Sequence, residues 1–176
     1  MPLVVFLKGI NVGGHRRVRP KVVAERLCPL DVVSIGAAGT FVVRSPITES
    51  DLAAAIRERM PFDVEIMICE GSDILRLISG EPFKGISVDP GVIQFVSVCT
   101  AFVKPALKPP FPLPSDTDPC LTVLGFRDRF VIGLHRREMK AIAQLGRLEK
   151  ILRTPLATRS WSTILKIGNS VQPDGG

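Results

Sequence analysis

Tyrosine is absent from this 176-residue chain, tryptophan occurs once, and aromatic residues of all kinds make up 6%. A surface that stacks successive bases on several rings is therefore poorly supplied. Histidine occurs only as His15 and His135, and neither belongs to an acid-histidine cluster, so neither a metal nor a cofactor is expected. The four cysteines, Cys28, Cys69, Cys99 and Cys120, lack the short paired spacings of a zinc site or a redox disulfide. They read as buried free thiols of a cytoplasmic protein. Long apolar runs are missing too: stretches such as Val92–Val98 fall far short of the roughly 20 residues that cross a bilayer. The 45% hydrophobic content and the mean hydropathy of +0.27 must then belong to a core, and no membrane partner is expected. Met1–Leu7 is apolar but has no preceding positive region and no small-residue cleavage site, so no export signal is expected.

What is present is enough chain to bury roughly 70% of its unfolded surface without staples, and a basic charge that is unevenly spread. The net charge is +6, but Lys8–Arg26 carries +5 and Arg127–Lys166 carries +7, while the stretch between them carries −5. Segregated basic segments suit an anionic partner.

Local patterns give an order of elements. Leu3–Leu7 is a β-rich run ended by glycines, and Pro20–Leu27 has helical spacing behind a proline suited to a first turn. Val32–Ile35 and Phe41–Val43 flank Gly36–Gly39 as a hairpin. Thr48 with Asp51 three residues on caps a helix that Pro61 closes, and Val64–Cys69 is the next strand. This β-α-β-β-α-β order over residues 1–70 is that of the ferredoxin-like split motif, with two helices on one face of a four-stranded antiparallel sheet. A second α/β half is expected over 71–170: a helix at Ser72–Ile78, a strand at Val92–Val98, paired strands at Cys120–Leu124 and Arg129–Leu134, and helices from about Arg136. Residues 171–176 read as a frayed tail. Six prolines between Lys104 and Pro119 forbid a regular helix and predict an extended surface connection. Pro109 and Pro112 also satisfy the PxxP spacing of a recognition ligand, the alternative to a stiff linker.

Phe6-Leu7-Lys8-Gly9-Ile10-Asn11-Val12-Gly13-Gly14 resembles the opening strand and RGINVGG-type loop of the domain-of-unknown-function family DUF1697. Gly39–Val43 is similar to that family's SGN-V-V-F hairpin, Pro61–Val64 to its F-D-V strand, and Thr158–Thr163 to its TRNWNT motif. Thr40, Ser160 and Ser162 stand where the family usually has asparagine, and the proline segment stands where it commonly has a helix. The resemblance implies an α+β fold of two packed split-βαβ sub-domains with antiparallel sheets and a helical C-terminus. It carries over no catalytic residue.

The candidate chemistry centres on the loop of residues 8–17. Gly9 and Gly14 have P-loop spacing, yet His15-Arg16 replaces the Lys-Ser/Thr pair that such a loop needs, and the GxGxxG spacing of dinucleotide folds is missing. Two readings remain. The glycines and Asn11 serve a tight turn with positive φ, or the Gly13 and Gly14 amides form an anion nest to which Lys8, Arg16 and Arg17 add charge. The second predicts binding of a phosphate-bearing small molecule or a nucleic acid, weak and salt-sensitive. Val5–Ile10 fits the loose first-strand pattern of RNA-recognition domains, but only Phe41 is aromatic on the adjacent strand. Alternatives of other classes are an enzyme with a polar pocket between the lobes, drawing on His15, Thr40, Arg159 and Ser160, and an interaction module using a sheet edge or the proline segment. Between Arg136 and Arg153, Arg136, Lys140, Arg147 and Lys150 fall within about 80° of a helix circumference, a basic ridge or an ordinary solvated face. Trp161 reads as a core seal.

Overall fold

A computed structural model describes residues 1–11 and 14–172. Its elements, in chain order, are β1 (Leu3–Lys8), α1 (Pro20–Arg26), β2 (Val32–Ile35), β3 (Thr40–Val43), α2 (Glu49–Arg59), β4 (Glu65–Glu70), α3 (Gly71–Ser79), β5 (Val92–Val98), β6 (Phe111–Leu113), β7 (Leu121–Arg127), β8 (Phe130–Arg136), α4 (Met139–Leu152), β9 (Ala157–Ser160) and α5 (Trp161–Val171). Two antiparallel sheets with helices make this an α+β fold.

The first sheet has the order β2-β3-β1-β4. This is the order the split motif demands, because the strand that follows each helix must skip a position. Leu3, Val5 and Leu7 of β1 pack with Phe41 and Val43 of β3, with Val23 of α1 and Leu27 just beyond it, and with Leu52 and Ile56 of α2. Val4 and Phe6, on the opposite face of β1, are also fully buried. Burial on both faces explains why β1 reads as an unbroken apolar run instead of alternating. Helix α2 starts where its cap dictates: the Asp51 amide donates to Thr48 Oγ1 (3.1 Å) and that hydroxyl donates to the Asp51 carboxylate (2.7 Å). Such a cap is worth about 1 kcal/mol.

The second sheet has the order β6-β7-β8-β5-β9. Without β6, it repeats the connectivity of the first. The position that α1 holds in the first sheet is taken here by the proline segment, which is more than a connection. Phe111 and Leu113 are buried while Pro112 between them is exposed, so it forms an edge strand against β7. An edge strand tolerates proline because one side of its backbone has no ladder to supply. Strand β8 runs to Arg136, which lies opposite Val92, and α4 begins only at Met139. The expected basic helix face therefore loses Arg136 and keeps Lys140, Arg147 and Lys150.

The chain divides into two compact units, Met1–Gly80 with Ser162–Gly176, and Glu81–Trp161. The boundary expected after residue 70 falls elsewhere, since α3 and most of α5 group with the first sheet. The Gly71 amide donates to the Pro2 carbonyl (2.8 Å), and α5 passes so near α3 that a Cβ on Gly168 would collide with Ile78. Val171, expected in a frayed tail, is a buried helix end; residues 173–176 lie outside the described residues. Trp161 is half-buried and meets Phe83 edge-on at 5.1 Å between ring centroids. Cys69, Cys99 and Cys120 are buried thiols, but Cys28 is exposed, because it sits in the turn after α1 and not within it.

Candidate functional site

Strand β1 ends at Lys8, which lies opposite Glu65 of β4 with Nζ and Oε1 3.8 Å apart. The chain then turns through left-handed backbone at Gly9 (φ 77°), Asn11 (φ 56°), Gly14 (φ 77°) and Arg16 (φ 54°). Asn11 is the clamp of this loop. Its backbone amide donates to the Arg16 carbonyl (3.1 Å), Nδ2 donates to the carbonyls of Val18 (2.9 Å) and Ala37 (3.1 Å), and Oδ1 accepts from the Val18 amide (2.9 Å). Both amide hydrogens and the amide oxygen are thus engaged with backbone, which ties the loop to the β2–β3 connection. That connection rests on the loop at Gly39, where φ is 80° and a Cβ would stand 2.7 Å from Ile10 Cδ1 and 2.9 Å from Leu7 Cβ.

Arg16 is also turned inward on its own unit. Its guanidinium carbon lies 5.1 Å from the centroid of the Phe62 ring, and Nη2 donates to the Asp63 carbonyl (2.5 Å). The positively charged face-on contact and the hydrogen bond fasten the loop to the segment between α2 and β4. Of the expected cluster, Lys8, Asn11 and Arg16 are thus partnered within the protein. Gly13, and with it the anion nest expected at Gly13 and Gly14, lies outside the described residues.

Arg17 and Arg19 are exposed and line one depression of about 480 Å³ with Asn11, Gly14 and Val18. Among the described residues that lining holds two guanidinium groups and no acid. Arg19 escaped the sequence reading, although a signal existed. It precedes Pro20 at the first position of α1, so it is the extended N-cap residue that leads the chain away from the loop. His15 is exposed.

Of the remaining expected residues, one is in the first unit and two are in the second. Thr40 is fully buried on β3, between Phe6 of β1 and Ile35 of β2. Arg159 and Ser160 belong to the second unit, on β9 opposite Val96 and Phe95. Arg159 is buried, its Nη1 donates to the Thr158 carbonyl (2.9 Å), and burial lowers its pKa to about 10, which still leaves it charged at neutral pH. Next to it, the buried Ser97 hydroxyl lies 2.6 Å from that of Thr158 across the β5–β9 ladder. Among the described residues no group of three or more His, Cys, Asp and Glu is placed to hold a metal ion, and no helix is long and apolar enough to cross a membrane.

No curated protein matches the chain. A conserved bacterial protein from Streptococcus pneumoniae superposes with a TM-score of 0.61 at 14% sequence identity, over 97% of this chain and 98% of that one. At that identity the likeness is one of fold, and it extends through both units. The family model of the protein of unknown function DUF1697 matches residues 1–109, which takes in the first sheet and the loop just described but stops before Thr158–Thr163. The chain belongs to the DUF1697 family.

Proposed function

We propose that the protein binds a phosphate-bearing anion, either a small molecule or a nucleic-acid backbone, in the depression beside the loop of residues 8–17, with Arg17 and Arg19 supplying the charge. The observation that carries this reading is the division of labour within the loop. Lys8, Asn11 and Arg16 hold its shape through contacts inside the protein, whereas Arg17 and Arg19 line one depression that has no acid among the described residues. Guanidinium groups suit phosphate because their paired N–H donors match two of its oxygens. An exposed two-arginine site gives weak binding that falls as salt rises. The test is a titration of single-stranded RNA and of pyrophosphate at increasing salt. The double variant Arg17→Ala with Arg19→Ala should weaken binding at least about tenfold, and should reduce the RNA salt slope by roughly 0.7 for each contact removed. Unchanged affinity and slope in the double variant would refute the reading.

A further inference from the structure

A second surface, in the other unit, combines apolar exposure with positive charge. Phe102 is 74% and Leu107 44% exposed, in a segment that also carries the exposed Lys104 and Lys108. The segment is tied to its own unit: the Val103 amide donates to the Asp128 carbonyl (3.4 Å), and Arg129 Nη2 donates to the Thr100 carbonyl (3.1 Å). The hydroxyls of Thr100 and Thr154 lie 3.5 Å apart, which brings Arg153 at the end of α4 alongside. Because β6 runs antiparallel to β7 with Phe111 opposite Val123, the residues just before β6 point toward this same β7–β8 turn. Residues 100–110, 127–129 and 153–154 therefore meet at one end of the sheet. They hold five basic residues, Lys104, Lys108, Arg127, Arg129 and Arg153, against one acid, Asp128.

Large apolar side chains standing in water among cations match the boundary between the headgroups and acyl chains of an anionic bilayer. Base stacking fits less well, since Leu107 has no ring, Phe111 and Phe130 are buried, and Phe126 is half-buried with its ring stacked on Phe111. We propose that this end of the second unit docks peripherally on anionic membranes, Phe102 and Leu107 entering the boundary layer while the basic residues face the lipid headgroups. That no helix among the described residues is long and apolar enough to cross a membrane does not bear on resting against one.

The test is co-sedimentation of the full chain with phosphatidylcholine vesicles, with and without phosphatidylserine, beside a titration of single-stranded RNA. Binding should require phosphatidylserine and decline with salt. Lys104→Ala and Lys108→Ala should each cost about fivefold, and Phe102→Ala about tenfold. Because these side chains are exposed, the thermal midpoint should not move, and Phe102→Ala should leave RNA affinity unchanged. The proposal is overturned if vesicles containing phosphatidylserine are not bound, or are bound equally well by Phe102→Ala. It is also overturned if Phe102→Ala lowers RNA affinity while no vesicle is bound, which would assign the surface to nucleic acid.

Discussion

Replacing Arg16 by alanine should destabilise the protein, although Arg16 is an exposed cation of a glycine-rich loop. The side chain makes two contacts that alanine cannot: the face of Phe62 at 5.1 Å and the Asp63 carbonyl. An exposed cation over a ring contributes about 0.5–1 kcal/mol, and a charged donor to a backbone carbonyl at the surface adds about 1 kcal/mol after solvent competition. The expected loss is thus about 1.5–2 kcal/mol, against less than about 0.5 kcal/mol for Arg17→Ala, whose side chain serves no such contact among the described residues. In a chain of this length that loss lowers the thermal midpoint by roughly 4–6 °C. The backbone supplies an internal control. Arg16 sits at φ 54°, a conformation that costs an L-residue about 1–2 kcal/mol and glycine much less. Arg16→Gly removes the same contacts yet should be about 1 kcal/mol more stable than Arg16→Ala. Denaturant unfolding of Arg16→Ala, Phe62→Leu and the double variant would isolate the cation–ring part, for which a coupling of about 0.5–1 kcal/mol is expected. If Arg16→Ala and Arg17→Ala proved equally stable, and the cycle gave no coupling, the structural assignment of Arg16 would be wrong.

Gly39→Ala should cost about 2–4 kcal/mol by denaturant unfolding, because the new Cβ meets both positive φ and the side chains of Leu7 and Ile10; a loss below about 0.5 kcal/mol would show that the β2–β3 connection does not rest on the loop as described. The thiols carry a pH prediction as well. Burial of Cys99 raises its pKa from 9.0 to about 12, with nearby Arg129 opposing more weakly. Between those values the unfolded chain releases this proton while the folded chain keeps it, so this group makes stability fall as pH rises through the window and contributes no change below it. The decline in thermal midpoint across that window should be shallower in Cys99→Ala than in the parent, and parallel declines would contradict the assignment.

Much of the fold was legible because it is written in local chemistry. The Thr48–Asp51 cap, Pro20 at the head of α1 and the β-branched runs around Gly36–Gly39 act over a few residues, and α1, α2 and the hairpin lie where those signals place them within about two residues. Order alone then implied the first sheet, since a β-α-β-β-α-β chain with short connections has few antiparallel arrangements. Other features depend on partners far along the chain. Strand β6 exists because Phe111 and Leu113 find β7, and without that partner a proline-rich segment reads as a connection. The grouping of α5 with the first sheet rests on Gly168 meeting Ile78, residues 90 positions apart.

The loop of residues 8–17 draws the same line more sharply. Its sequence determined that the chain must turn there, since Gly9, Asn11 and Gly14 are residues that accept left-handed backbone cheaply, and that cations must cluster there. Only tertiary structure decided which cations serve the fold. Arg16 and Arg17 are indistinguishable neighbours in sequence, but the register of the turn aims one at Phe62, 46 residues on, and leaves the other beside Arg19 at an open depression. Thr40 likewise reads as a polar candidate until the β1–β3 and β2–β3 pairings bury it between Phe6 and Ile35. Side-chain type and local spacing are properties of the chain, whereas burial and partnership arise when distant segments exclude water from one another.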